Sequence, residues 1–195
     1  MFSIKQLIKS FLTYLYNFPQ IIKIKHLGRK VFIGNGLQVT SGKGISIGND
    51  VRIGRFCRLS CYPVKDRLGR LQIKDRCYIG NNFSVLTGAD VTINEDTLIA
   101  SNVTIIAENH GMNPEYGQKY GLQPLNGASI EIGRNCWIGE NVTILPGVSV
   151  GDWAILGTSS VVTKDVPPYS IVVGNPAKVL KQYSFKEHKW VRCDG

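Results

Sequence analysis

Ile132-Gly133-Arg134-Asn135-Cys136-Trp137-Ile138-Gly139-Glu140-Asn141-Val142-Thr143-Ile144-Leu145-Pro146-Gly147-Val148-Ser149-Val150 places an aliphatic residue at every sixth position. The period continues through Leu156 and Val162, usually with Gly one residue later and a small residue four later. Six residues match neither the 3.6-residue helix nor the two-residue strand. They suit a short strand and a tight turn, three of which close one triangular coil of a parallel β-helix.

Working outward, the same step recurs as Ile93, Ile99 and Ile105, as Ile73, Ile79 and Val85, and as Ile47, Ile53 and Leu59, with Ile33 and Val39 suggesting a ragged first coil. Within a triplet the spacing never slips; between triplets it is broken after Leu59, after Val85 and most of all after Ile105. All insertions should therefore leave from one corner of the prism, where rigid coils beneath can hold functional loops. The expected organisation is a helix and basic linker over residues 1–30, a coiled domain over 31–176 carrying a long loop at 107–130, and a helical tail over 177–195.

The 195 residues are 43% hydrophobic, enough to bury one sizeable core. The 21 glycines are expected at turns with positive φ. Cys57, Cys77 and Cys136 each follow a core aliphatic by four residues, so they read as buried thiols in a reducing compartment. The odd total of five cysteines, with no CxxC pair and no zinc-ligand spacing, argues against a disulfide framework and against a metal site.

At the N-terminus, Ile4, Ile8, Phe11, Leu15 and Phe18 alternate in steps of four and three, with Ser3, Gln6, Ser10, Thr13 and Asn17 opposite. This predicts an amphipathic helix ended by Pro19, too polar and short to span a bilayer and without the cleavage site of a signal peptide. Its apolar face could cover the open end of the coils. The cations Lys5, Lys9, Lys23, Lys25, Arg29 and Lys30, with no acid among residues 1–30, instead suit a membrane surface. The two roles are compatible. The net charge of +9 is scattered and lacks an aromatic-interleaved basic motif, which excludes a nucleic-acid partner in favour of a small polyanion. Lys65, Arg67 and Arg70, in the insertion after Leu59, could face an acidic acceptor or simply solvate a loop.

The long insertion begins Ala107-Glu108-Asn109-His110-Gly111-Met112. His110 is the one histidine away from the chain ends, and no GxSxG elbow, Cys/His pair or phosphate-binding loop competes with it. It is the candidate general base.

The stretch from Ile132 to Val148, with Ser159-Ser160-Val161-Val162-Thr163-Lys164-Asp165-Val166-Pro167 and Gly174-Asn175-Pro176-Ala177-Lys178-Val179, resembles the C-terminal signature of the hexapeptide-repeat O-acetyltransferases. The Asn-His-Gly loop entry is most similar to the branch that acetylates capsular, exopolysaccharide and lipopolysaccharide sugars, related to galactoside and maltose acetyltransferases. The resemblance covers most of residues 45–182. It implies an all-β, left-handed parallel β-helix, a homotrimer with active sites between neighbours, acetyl-CoA as donor and no metal, in the cytoplasm or at the inner face of the membrane. It further implies His110 as catalytic base, and Trp137, Glu140, Thr158, Thr163, Lys164, Lys178 and Lys181 along the cofactor groove, Trp137 being equally suited to a trimer contact. Asn82 and Ser84 are the counterparts of the sugar-holding side chains, while Gly88 replaces an Asp of that pattern. Glu108, Glu115 and Gln123 are candidates to orient His110. The implied reaction is acetyl transfer to a sugar hydroxyl of a surface polysaccharide or its precursor; small-sugar or antibiotic acetylation and a non-catalytic assembly subunit are the alternatives. A carbonic anhydrase is excluded, since one histidine in the coil region cannot supply three imidazoles to zinc.

Overall fold

A computed structural model of the protein describes residues 4–193, with the side chains of residues 4–11 and 14 outside the description. The chain winds through three parallel sheets in turn. Face one runs from His26–Leu27 to Ser149–Val150, face two from Phe32–Ile33 to Ser170–Gly174, and face three from Gln38–Thr40 to Val161–Val162. Each sixth-position aliphatic lies in register on its counterpart in the next coil: Ile47 on Ile73 on face one, Ile53 on Ile79 on face two, and Leu59 on Val85 on face three. These side chains fill the prism axis and are fully buried. Removing each from water stabilises the fold by about 1.5–3 kcal/mol.

The insertions all leave between faces three and one, as the triplet spacing implies. The strand Arg58–Cys61 is followed by a hairpin, Pro63–Val64 with Arg67–Leu68, and Thr104–Ile106 by the loop that returns at Ile130. We call this edge the insertion corner.

The glycines do something other than expected. At the coil corners positive φ falls mostly on non-glycine residues, among them Asn82, Asp96, Asn102 and Asn141, whose short polar side chains tolerate the left-handed region. Glycine is needed where one coil passes close above another: a Cβ on Gly80 would lie 2.5 Å from the Ala100 carbonyl carbon. Cys57, Cys77 and Cys136 are buried free thiols, and burial pushes each up to about 11.

Helix α1 spans Ile4–Ile21 and continues past Pro19, which does not end it. The helix covers the first coil, but with its polar side inward. Asn17 is 1% exposed; its Nδ2 donates to the Gly34 carbonyl at 2.8 Å and its Oδ1 accepts from Leu37 N–H at 3.3 Å. Gln20 Oε1 accepts from Val39 N–H at 3.1 Å. The reason is that the open end of the stack presents unpaired backbone groups, and amides satisfy these where aliphatic side chains cannot. Leu15 and Phe18, expected against the core, are exposed instead. The placement expected for Ser3, Ile4, Gln6, Ile8, Ser10 and Phe11 falls outside the described side chains.

The C-terminal helix expected over 177–195 is absent among the described residues. Ala177–Ser184 folds back antiparallel on Ser170–Gly174, and Lys189–Arg192 pairs with Ala177–Ser184 in turn. The segment Ala177-Lys178-Val179-Leu180-Lys181-Gln182-Tyr183 has only Val179 and Tyr183 as strong strand formers, and it is the pairing offered by the edge of face two that makes it a strand. Tyr183 packs edge-on against Phe185 and Trp190, closing this end.

The hairpin at the insertion corner is fastened by one carboxylate. Asp90 is bound by Arg67 and by Arg70, the latter through Nε at 3.2 Å and Nη2 at 2.7 Å. Both arginines are thereby engaged within the chain, and Lys65 alone of that basic run is left to face a ligand. The Arg70 hydrogen bonds, then the charges of Arg70 and Arg67, hold the Asp90 carboxyl below the usual aspartate range against its partial burial. A lowered folded pKa gives stability that is complete above the unfolded value of about 3.9 and is lost as pH falls through the folded one. Asp90→Asn is expected to cost about 1 kcal/mol at neutral pH, a figure limited by the exposure of both arginines. Denaturant titrations should show the difference closing below pH 4; a difference that persists there rules out the ion pair as its source.

Candidate active site

His110 stands at the root of the long loop. Glu108–Asn109 pairs antiparallel with Asn126–Gly127, in register Glu108 to Gly127 and Asn109 to Asn126, so the two sides of the loop are tied together just before the imidazole. His110 is itself exposed. Gly111 is buried, and a Cβ there would lie 2.8 Å from Gln123 Cβ. The neighbour that glycine admits is thus Gln123 of the same loop. Gln123 is buried and staples the loop: its Nε2 donates to the carbonyls of Asn113 at 3.0 Å and Gln118 at 3.1 Å, and its Oε1 accepts from Asn113 N–H at 3.0 Å. It organises the loop, and the hydrogen bonds of its amide go to Asn113 and Gln118. Glu115 is exposed on the short helical turn Pro114–Tyr116.

Glu108 is the candidate on the strand Glu108–Asn109, which leads directly into His110. Burial pushes its carboxyl above the usual range, opposed by the charge of His110. Its Oε2 is buried without a hydrogen-bond partner among the described residues. A cleft opens beside it, lined by Lys65 and Arg67 of the hairpin, Gly88 and Ala89, and Asn126 and Gly127, with a volume of about 530 Å³. A Cβ on Gly88 would lie 3.0 Å from Glu108 Oε2 and 2.4 Å from Val64 Cγ2. The absence of a side chain at 88 is what leaves room for the carboxyl of residue 108. This relation between Gly88 and Glu108 carries no mark in the sequence beyond the run Ala107 to His110, read with strand alternation from the buried Ala107.

The remaining predicted site residues fall into three groups. Thr163 and Lys164 follow the strand Val161–Val162 at the insertion corner, on the same edge as His110 but two coils along, about 10 Å at the usual strand spacing. Glu140 and Thr158 lie at the corner between faces two and three. Asn82 lies there too and joins Glu140 through Asn102: Asn82 Nδ2 donates to Asn102 Oδ1 at 2.9 Å, and Asn102 Nδ2 to Glu140 Oε1 at 3.3 Å. Ser84 is on face three, where its hydroxyl accepts from Arg58 Nε at 3.1 Å. Asn82 and Ser84 are therefore away from the His110 cleft of their own chain.

Trp137, Lys178 and Lys181 belong to face two. Its outward row, Phe32, Arg52, Tyr78, Leu98, Trp137 and Ile155, is in register from coil to coil and largely apolar. Lys178 pairs with Val173 and Lys181 with Ile171, the register shifting between Ile171 and Val172. Residues three apart on a regular strand point to opposite sides, but this bulge puts both lysines opposite residues two apart, hence on one side of the sheet. The pair expected from helical spacing is kept by a different backbone device.

An exposed imidazole that directly follows a paired strand is of the residue type that can move a proton during group transfer to a hydroxyl or amine. Comparison with known proteins defines the class further. The family model for bacterial transferase hexapeptides (six repeats) matches residues 129–164. WbbJ of Escherichia coli K12, named as a lipopolysaccharide biosynthesis O-acetyl transferase, is 30% identical over 168 residues, covering 83% of this chain and 81% of WbbJ. The galactoside O-acetyltransferase of the same organism is 37% identical over 122 residues; the match spans 57% of each chain, a little over half of that relative. Among solved structures, the Bacillus cereus N-acyltransferase AntD, in complex with dTDP and 3-hydroxybutyryl-CoA, shares the fold with a TM-score of 0.72 at 23% identity, covering 88% of this chain and 89% of AntD. The hexapeptide-repeat acetyltransferase VCA0836 of Vibrio cholerae O1 biovar eltor, complexed with acetyl coenzyme A, has a TM-score of 0.60 at 25% identity, with 93% and 80% covered. The chain belongs to the bacterial hexapeptide-repeat transferase family, and it is an acyltransferase.

Proposed function

We propose that this protein is an acetyl-CoA-dependent O-acetyltransferase whose acceptor is a sugar hydroxyl of a bacterial surface polysaccharide or its precursor. One observation carries the reading: His110 directly follows the strand Glu108–Asn109, whose partner Asn126–Gly127 lines a cleft, and it shares its edge of the prism with Thr163 and Lys164. In this scheme the neutral imidazole accepts the proton of the sugar hydroxyl as that oxygen attacks the thioester carbonyl, and CoA leaves as the thiol. The likeness to WbbJ supports a polysaccharide acceptor, and the acetyl-CoA complex of VCA0836 supports the donor.

The coils wind left-handed in this proposal, and three chains associate through the apolar outer row of face two. The groups at different corners then meet: His110 of one chain, with its cleft, stands against Glu140, Thr158 and Asn82 of the next, and acetyl-CoA lies between. The buried free thiols suit a reducing, cytoplasmic compartment. Incubating the purified protein with acetyl-CoA and a panel of sugars, while following thiol release, tests the activity. Release that no sugar stimulates would remove the sugar acceptor.

Lys178 and Lys181, on one side of their strand, are proposed to meet the CoA phosphates. Replacing both by Gln is expected to raise the Michaelis constant for acetyl-CoA several-fold with little change in turnover, because ground-state attraction is lost and the reacting atoms are untouched. The double variant should also lose most of the salt sensitivity of binding, since exposed charges are screened over about 8 Å at physiological ionic strength. Unchanged salt dependence would move the phosphate site elsewhere, with Lys164 next in line.

A further inference from the structure

We propose that α1 seats the protein on an anionic phospholipid surface, through the apolar face that it turns away from the coils. An amphipathic helix on a soluble core ordinarily buries its apolar side. Here Asn17 and Gln20 face the first coil, while Leu12 is 57%, Leu15 50%, Tyr16 69% and Ile22 64% exposed. On a helical projection Leu12, Leu15 and Tyr16 fall within one sector on the side opposite Asn17, and Ile22, in the turn that follows the helix with its N–H bonded to the Phe18 carbonyl, extends that sector. The inward amides hold the helix by directional bonds, which leaves the apolar sector available as a flat outer surface at one end of the molecule.

Charge selects the occupant. The first acidic residue of the chain is Asp50, whereas Lys5, Lys9, Lys23, Lys25, Arg29, Lys30 and Lys43 precede it. Lys30 is partly answered by Asp50 at 3.8 Å, and Lys23 Nζ donates to Gln20 Oε1 at 3.0 Å without losing its charge. Lys25 and Arg29 are exposed beyond the helix end, and Arg52 and Arg55 line the groove between Thr13 and face two. A second copy docked helix to helix would bring two such cationic ends together, whereas a bilayer with anionic headgroups attracts both components of the surface. At 18 residues α1 is about 27 Å long, and it is not apolar enough to cross a membrane. Lying in the headgroup plane is the geometry left to it.

This inference is independent of the acceptor and is tested without the transferase reaction. The full-length protein is mixed with sonicated vesicles of phosphatidylcholine alone, or with a third of phosphatidylglycerol, and the bound fraction is read by flotation. Binding to the anionic vesicles is expected, weakened about tenfold or more by Lys23→Gln, Lys25→Gln and Arg29→Gln together, and by high salt to a similar degree. Leu12→Ser, Leu15→Ser and Ile22→Ser together should abolish binding while leaving the thermal midpoint and the oligomeric state unchanged, because these side chains face away from the core. No flotation of the wild-type protein, or equal flotation of the serine variant, would overturn the proposal. So would a serine variant whose oligomeric state changes, which would assign the face to a second copy. If that variant does not fold, the charge variant and the salt titration decide alone.

Discussion

Replacing His110 by alanine is expected to lower turnover about 10²–10⁴-fold, the range for loss of a general base, with acetyl-CoA affinity unchanged within a few fold. The expectation follows from geometry: the imidazole stands at the root of the long loop, while the residues proposed to hold the cofactor lie further along the coils or on other faces. Gln is the informative second substitution, since it keeps bulk and hydrogen bonding but cannot accept and release the proton, and it should be as inactive as Ala. Single-turnover acetyl transfer and CoA binding, measured on the same preparations, separate chemistry from binding. Near-normal turnover by either variant on the acceptor would remove His110 from the mechanism.

What could be read in the sequence depended on whether a feature is local and periodic. The six-residue step located the buried aliphatic stack from Ile47 to Val162 and the common corner of the insertions, because each coil repeats one packing problem and the register is set by its solution. Features decided by a partner far along the chain were misjudged. The apolar spacing of Leu15 and Phe18 was expected to face the core, but the coil end required amide partners, which Asn17 and Gln20 supply. The tail over 177–195 is expected to be helical, but the edge of face two provides strand pairing for Ala177–Ser184 instead. The glycines are expected at positive φ, whereas non-glycine residues carry most of those corners and Gly80 serves the approach of the next coil.

The candidate site divides along the same line. His110 was identifiable by elimination, since no other residue offered the chemistry, and its position at a strand end followed from the triplet spacing. The cleft was not identifiable, because it is assembled from three separate segments: the hairpin at 63–68, the turn at 88–89 and the returning strand at 126–127. Glu108 shows why. Its carboxyl occupies space that exists only because Gly88 has no side chain, a relation between residues twenty apart with no periodic mark. Arg67 and Arg70 went the other way: as a basic run they suggested an acidic ligand, and Asp90 takes both.

Mixing two inactive variants is expected to restore activity if the site is shared between chains. Within one chain, His110 lies at the insertion corner, whereas Glu140 and Thr158 lie at the corner between faces two and three, so face three separates them. His110→Ala removes the base. Thr158→Trp, at an exposed position, fills the groove proposed for the pantetheine arm without touching the core. Each variant alone should be inactive. After unfolding and refolding an equal mixture, random assembly of a cyclic trimer pairs an intact His110 with an unblocked neighbouring groove in about one cleft in four, so about a quarter of wild-type activity should return. Mixing without subunit exchange should give nothing, which controls for contamination and for residual activity of either parent. If refolded mixtures stay inactive while wild-type protein taken through the same treatment recovers, His110 and Thr158 serve a cleft within one chain, and the proposed arrangement of neighbours is wrong. Light scattering on the wild-type protein supplies the independent arm, because a fully active monomer would exclude a shared cleft whatever the mixtures do.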